Sequence, residues 1–506
     1  MNMRFIFFLT SLFIASLVCE AAKQPNIIVF LVDDMGLMDT SVPFMLDNKG
    51  KPKKYPLNEW YRTPSMERLA ARGVRFTDFY AHTVCSPSRS SIMLGQNSAR
   101  HHTTNFISGK GKNTGKNGAP GWNFDGLTSK HTTIAKLLTN EGYKTIMIGK
   151  GHFGAKNTEG AEPLNLGFQT NIGAYHMGQP GSYYGENNYR RGNNGSFQVP
   201  HMEKYHGTKT FLTEALTLEA KDQIDKAIGE DKPFYLYMSH YAVHSPFSTD
   251  PRFIDHYPET EKGKNASAFA TLIEGMDKSL GDIMDHLEAK GIAENTLILF
   301  LGDNGSDAPI KGPHAGQHSS APLRGKKGSK WEGGVRVPFI AAWATPNPKN
   351  KLQQKLPIAK GAIQTQIAAC FDIFPTITNM LSIKTPAQHI VDGQNLDVLF
   401  TAKEDRNREN VFLSHFPHPR TDKHFTTYRV GDWKLIYHYF PKQAGIDKGN
   451  CLLYNLKEDI SESKDLAQQM PDKVKEMVIA MKKDLESKGA QYSVDDNKHE
   501  LKPIVP

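Results

Sequence analysis

Four short runs along the chain are apolar nearly throughout and close on polar residues: Ile27 to Val32, Lys144 to Ile148, Phe234 to Met238 and Thr296 to Leu301. Unbroken apolar runs of this length read as strands buried on both faces. Between them the spacing turns helical. Met66 to Ala71 follows Thr63-Pro64, a cap and a first-turn proline. Thr132 to Asn140 carries Ile134, Leu137 and Leu138, and Phe211 to Ile228 forms a third helical stretch. Phe269 to Leu287 sets Leu272, Ile273, Met276, Leu280, Ile283, Met284 and Leu287 on one stripe, ended by Gly291. Strands alternating with helices predict an α/β fold with a parallel sheet covered on both faces.

Two stretches break the pattern. Phe153 to Tyr205 is rich in Gly, Asn and Tyr, and Ala308 to Lys330 shows little periodicity; both read as long loops near the active face. After about residue 400 the texture changes. Thr426 to Val430, Lys434 to His438 and Leu452 to Leu456 read as short antiparallel strands around turns such as Gly431-Asp432, and Asp472 to Lys488 as a closing amphipathic helix. The chain therefore divides into a main domain at 23–400 and a small α+β subdomain at 401–506. At the start, Arg4 precedes the apolar run Phe5 to Cys19, followed by Ala21 and Ala22. This is the pattern of a signal peptide over 1–22, and it predicts an exported protein, periplasmic or secreted. No later stretch is long and apolar enough to span a bilayer.

Composition narrows the class. With 506 residues, 39% hydrophobic and 23% charged, the chain is globular. A net charge of +8 suits polyanions but equally suits a lysine-rich solvated surface, and no nucleic-acid motif is present. Four cysteines make no disulfide scaffold; Cys19 leaves with the signal, and Cys370, in an apolar run, reads as a buried thiol that at most pairs with Cys451.

The strand ends carry the candidate chemistry. The first strand ends in Asp33-Asp34, the second in Lys150-Gly151-His152, the third runs into His240 and His244-Ser245-Pro246, and the fourth ends in Asp303-Asn304-Gly305. Ligands of open α/β sheets bind beyond the carboxyl ends of the strands, so these distant segments converge on one crevice. Asp33, Asp34, Asp303 and Asn304 offer hard oxygen donors, which suit Ca²⁺ or Mg²⁺. Taken singly, Asp33-Asp34 also fits a cap and Asp303-Asn304-Gly305 a turn; both following buried strands, they favour a metal. Lys150 and Lys327 are candidate clamps for an anion, though each alone could be a surface charge. His152 and His244 are candidate acid–base groups. Arg100, His101, His102, Arg190, Arg191 and His318 sit in loops that could rim the pocket or be ordinary surface.

The run Cys85-Ser86-Pro87-Ser88-Arg89 reads as a helix start, with Ser86 at the cap, Pro87 at the first helical position and Ser90 to Leu94 continuing. Cys85 then lies where free N–H groups favour an anion, with Arg89 one turn on. The run resembles the sulfatase signature Cys-x-Pro-Ser-Arg. The resemblance extends over Asn26 to Asp34, Gly149 to His152, Gly302 to Gly305 and Lys327 to Pro338, in order, with Gly151-His152-Phe153 where Trp-His-Leu is common.

That resemblance implies an alkaline-phosphatase-like fold, a large mixed, mostly parallel sheet between helices plus a small antiparallel sheet. It also implies a hydrolase of sulfate esters, here on a sulfated carbohydrate. Cys85 would become Cα-formylglycine through a formylglycine-generating or sulfatase-maturating enzyme, and its hydrate would attack the sulfur. Asp33, Asp34, Cys85, Asp303 and Asn304 would hold one Ca²⁺, Arg89 would steady the diol, and Lys150 and Lys327 would neutralise the sulfate. His244, preferred to His240 because it shortly precedes a proline, would protonate the leaving alcohol, and His152 would act as base in releasing sulfate. A phosphoester or phosphonate hydrolase on the same scaffold, or an inactive polysaccharide-binding relative, are the alternatives.

Overall fold

Strand Asn26–Val32 (β1) alternates its side chains between two cores: Ile27, Val29 and Leu31 join one cluster, Ile28, Phe30 and Val32 the other. A strand apolar on both faces belongs at the centre of a sheet covered on both sides, and β1 occupies that place in the computed structural model. The structure describes residues 24–192, 195, 197–260, 262–310, 319–420 and 422–506. The signal-peptide reading at 1–22 and the candidate rim residue His318 lie outside them.

The other strands of the sheet are Val74–Phe76 (β2), Lys144–Gly149 (β3), Thr170–Ile172 (β4), Phe234–His240 (β5), Thr296–Gly302 (β6), Phe339–Trp343 (β7) and Ala362–Gln364 (β8). Their order is β4-β3-β5-β1-β6-β7-β2-β8. The four strands expected from apolar runs form the parallel centre, each within two residues of the expected bounds. The sheet is larger than those runs indicate. β7 pairs antiparallel with both β6 and β2, which makes the sheet mixed. β2, β4 and β8 hold three residues each, too few for a periodicity to register.

Helices Leu212–Gly229 and Lys264–Ala289 pack together on one face, and Ile134–Asn140 and Cys85–Leu94 lie on the other. The long loop after Phe153 is not loose: Tyr183, Tyr189 and Tyr205 are buried, and single 3-10 turns interrupt it.

A second, antiparallel sheet follows: Val411–Phe416 (β9), Phe425–Val430 (β10), Trp433–His438 (β11) and Cys451–Asn455 (β12), in sequential order. Helix Pro471–Ser487 closes it over Val474, Met477, Val478, Met481 and Leu485. Three of these strands were legible; β9 was not. Cys370 and Cys451 are both buried free thiols, so the conceivable pairing between them is not made.

Candidate active site

The carboxyl ends of β1, β3, β5 and β6 meet as expected, and backbone hydrogen bonds fix their register beyond the strands. The Asp33 N–H donates to the Ala242 carbonyl at 3.0 Å, the Val243 N–H to the Asp33 carbonyl at 2.7 Å, and the Asp303 N–H to the Val32 carbonyl at 3.1 Å. Asp34 and His152 both sit in the left-handed region, with φ of 60° and 61°. A non-glycine residue held there is strained, and such strain gathers where a side chain must be aimed.

The Cys85–Leu94 helix enters this crevice with Cys85 as its first residue and ends at Gly95, left-handed with φ 67°. The cap differs from the sequence reading. Val84, in extended conformation, precedes the helix, and Pro87 falls at its third position. The first-turn N–H groups have no intrahelical acceptor, so a proline there forfeits nothing. The Ser86 hydroxyl is engaged elsewhere: it accepts the Ile107 N–H at 3.0 Å and draws the 105–107 loop over the cysteine.

Cys85 is only 3% exposed. Its Sγ lies 3.3 Å from Nδ1 of His152, whose Nε2 donates to the Ile107 carbonyl at 2.6 Å. That bond leaves Nδ1 as the lone-pair side, facing the sulfur. Burial, then Lys150, hold the His152 imidazole well below its ordinary value, so it is neutral and able to accept a proton.

Arg89 reaches across the floor. Its Nε donates to Asp303 Oδ2 at 2.8 Å, and its Nη1 to the Lys150 carbonyl at 2.9 Å and the Ser239 hydroxyl at 2.6 Å. Lys150 Nζ lies 2.6 Å from Asp33 Oδ2, and Lys327 Nζ 2.6 Å from Asp34 Oδ1. His244 Nε2 stands 3.6 Å from Asp34 Oδ2 while its Nδ1 donates to the Ser245 carbonyl. The other histidine of that segment points away: His240 bonds Ser279 and packs on Phe30 in the core. All ten residues singled out from the sequence are thus brought together. Ser239 and the Ile107 backbone were missed, because neither belongs to a chemically marked motif.

Asp33, Asp34 and Asp303 place ligand oxygens within 4.8 Å of one another. Burial raises Asp33 to about 6 against the opposing pull of Lys150; burial and then Asp33 raise Asp303 to about 6. Burial also pushes Asp34 up, but Lys327, His244 and Lys150 together hold it below the usual carboxylate range. The residues fit an oxygen-ligated divalent cation. Asp33 Oδ1 and Asn304 Oδ1 are buried without a hydrogen-bond partner beside the other carboxylates, and each such orphan calls for a ligand. Three carboxylates against Arg89, Lys150 and Lys327 leave the pocket near neutral. A divalent cation and an anionic substrate entering together would keep it close to balance.

The loop residues offered as a rim divide. Arg100 is paired with Asp392 at 2.7 Å, His101 is buried against Ser91, and His102 bonds the Gly489 carbonyl, so these three are structural. Arg190 and Arg191 line a cavity of about 460 Å³ with Tyr184, Asn187 and Pro246.

Comparison with known proteins agrees with the site. The sequence model of the Sulfatase family matches residues 25–383. Over 393 residues the chain is 29% identical to the N-acetylgalactosamine-6-sulfatase of Mus musculus, spanning 75% of this chain and 67% of that protein. Over 514 residues it is 25% identical to a sulfatase of Formosa agariphila, spanning 89% and 86% of the two. The solved structure of Ps i-CgsB in complex with k-i-k-neocarrahexaose shares the fold, with a TM-score of 0.69 at 23% identity over 94% of this chain and 96% of that one.

Proposed function

The chain belongs to the sulfatase family, and we propose that it hydrolyses a sulfate ester of a sulfated carbohydrate, using Cys85 in its Cα-formylglycine form and one Ca²⁺. The observation that carries this reading is the placement of Cys85. It stands at a helix N-terminus, against a neutral histidine, within a ring of three cations and three clustered carboxylates. A phosphoester or phosphonate hydrolase is not favoured, because the curated relatives are sulfatases.

Asp33, Asp34, Asp303 and Asn304 would hold the cation, which supplies Lewis acidity toward the sulfate oxygens. The aldehyde hydrate at position 85 supplies a second hydroxyl, which a thiol lacks. The remaining work falls to the chain's own side chains. Arg89, fixed at four points, orients residue 85 from one turn below. Lys150 and Lys327 carry positive charge in a buried setting, where it acts on a developing anion far more strongly than in water. His152 accepts a proton through Nδ1. His244 is lowered to about 3 by burial and then Lys327, so it is neutral until a bound anion offsets that lysine and raises its proton affinity. Only then does it serve as proton donor to the leaving alcohol.

Burial of Cys85 also bears on its maturation: the oxidising enzyme has to act before this pocket closes. Among the described residues no helix is long and apolar enough to cross a membrane. With the signal-like first 22 residues, this supports export to the periplasm or medium. The division into 23–400 and 401–506 stands on the same footing.

The test is direct. Mass spectrometry of the Cys85 peptide from protein made in a host with the maturing enzyme should show the mass loss of thiol-to-aldehyde conversion. A panel of sulfated mono- and oligosaccharides should release sulfate in a Ca²⁺-dependent way, while phosphate monoesters turn over far more slowly. An unmodified thiol, or preference for phosphate, defeats the proposal.

A further inference from the structure

The turn between β9 and β10 carries Arg420 from the small sheet to Phe106 and Gly328, the chain neighbours of Ile107 and Lys327. His418 fastens this turn to the 104–115 loop through the Thr104 hydroxyl at 2.8 Å and the Thr114 carbonyl at 3.4 Å. The Arg420 guanidinium lies over the Phe106 ring, 4.8 Å from its centroid. Phe106 adjoins Ile107, whose carbonyl holds His152 and whose N–H holds Ser86. On its other side the Arg420 side chain rests on Gly328, the neighbour of Lys327. A Cβ at 328 would stand 2.9 Å from Arg420 Nε and 3.6 Å from its Cζ, and Gly328 has φ +76°. The positive φ at 328 disfavours a side chain there, and the arginine fills the space that one would take. The guanidinium is wedged between the segment that delivers Lys327 and the loop whose Ile107 carbonyl braces His152.

Among the described residues none answers its charge. Asp422, the nearest acid in sequence, is taken by Lys330, through its N–H at 2.9 Å and its ammonium at 3.6 Å. Among the described residues no carboxylate or carbonyl lies within bonding distance of the Arg420 guanidinium. A half-buried arginine, stacked on an aromatic ring with no described residue pairing its fork, is arranged to receive a planar or tetrahedral oxyanion from outside.

We propose that Arg420 is a specificity-determining residue that binds a second anionic group of the glycan, a carboxylate or a further sulfate ester, beside the ester being cleaved. The inference rests on the sulfatase reading of the site and adds to it the class of substrate: a sugar unit or disaccharide bearing two acidic groups. The small sheet thereby has a task in recognition, while the reacting atoms are met entirely by the larger one.

The experiment compares the mature full-length enzyme with Arg420→Ala and Arg420→Lys on four substrates: an aryl sulfate, a neutral sugar with one sulfate, the same sugar with two, and a sulfated sugar linked to a uronate. Arg420→Ala should raise KM about ten- to a hundredfold for a doubly acidic substrate, the scale of a hydrogen bond to a charged group, with kcat within about twofold. The aryl sulfate and the singly sulfated sugar should be unaffected, and Arg420→Lys should fall between. Which doubly acidic substrate responds tells carboxylate from sulfate. Equal losses on all four, marking a mere staple between loops, or no change on any, overturn the proposal. Calorimetry of the doubly acidic sugars with the full chain carrying the Cys85 thiol separates the two readings. If no sulfate ester is cleaved but Arg420→Ala still weakens binding tenfold, the sulfatase mechanism fails and this inference stands. If binding is the same in both proteins, this inference fails whatever the enzyme cleaves.

Discussion

The molecule holds two buried charge clusters of the same size, and they are wired differently. One surrounds Cys85: Asp33, Asp34 and Asp303 with Arg89, Lys150 and Lys327. The other joins the two sheets: Asp78, Glu332 and Glu462 with Arg336, Arg429 and Lys434. In the seam the signs alternate. Asp78 meets Arg429 at 2.5 Å and Arg336 at 2.9 Å; Glu332 meets Lys434 at 3.0 Å; Lys434 meets Glu462 at 2.8 Å, and Glu462 accepts the Glu332 N–H at 2.7 Å. Tyr80 donates to Glu332 at 2.6 Å. Around Cys85 the like charges are gathered instead. Among the described residues that is the one place where three acids crowd their ligand oxygens within 4.8 Å. Alternation sets each seam charge against one of opposite sign, so that even Arg336 Nη1 and Glu462 Oε1, which lack a hydrogen bond, face an opposite charge, and it fastens two sheets. Crowding leaves Asp33 Oδ1 and Asn304 Oδ1 waiting for something the chain does not contain.

The contrast breaks most sharply on activity. Cys85→Ala should lower sulfate release by at least about 10³-fold, the scale of losing a nucleophile, while changing stability by less than about 2 kcal/mol. Urea denaturation and a sulfate assay on one preparation read both. Loss of fold together with activity would mean that the pocket around Cys85 is structural after all. Chelation comes next. Removing Ca²⁺ should cost about 10²-fold or more in rate and lower the melting temperature, because the folded state loses a bound ligand and Asp33 Oδ1 and Asn304 Oδ1 are left without one; added Ca²⁺ should restore both. Chelator-insensitive turnover would dismiss the cation.

At the seam the expected signs reverse. Glu332→Ala removes the carboxylate shared by Lys434 and Arg429, leaving Lys434 to Glu462 and Arg429 to Asp78, and breaking a buried network on one side costs about 3–5 kcal/mol. The fraction that folds should keep its KM for a small aryl sulfate. A variant that is stable yet inactive would place Glu332 in the chemistry.

What the sequence disclosed follows the same division. Asp33, Lys150 and Asp303 could be found because each ends an apolar run, and a polar residue at that place has no packing reason to be there. Cys85 could be found because its neighbours form a signature. The seam was invisible: Asp78, Glu332, Arg429 and Lys434 are ordinary charged residues at ordinary loop and strand positions, and only tertiary contact makes them partners. Edge strands such as β4 escaped for a simpler reason, since three residues cannot display a period. The cap at Ser86 was misread because its hydroxyl answers a distant N–H, that of Ile107, instead of the local one.

The finest test concerns pH. Glu462 is fully buried, and burial, with Glu332 adding to it against the pull of Lys434, raises it from the ordinary 4.5 to about 7. The folded chain therefore keeps a proton that the unfolded chain releases. Under linkage the penalty is absent below about pH 4.5, grows as pH rises toward 7 and is complete above it, so this residue makes stability fall across that window. Glu462→Gln removes the proton from the balance while leaving a carbonyl for the Glu332 N–H. The variant should lose roughly 1–3 kcal/mol of the wild-type decline between pH 5 and 7, read as a flatter slope of unfolding free energy against pH. Activity between those limits should keep its wild-type profile, because the groups that set it lie in the crowded cluster and not the alternating one. A changed activity profile with an unchanged stability slope would show that the two clusters titrate together, and the distinction drawn between them would dissolve.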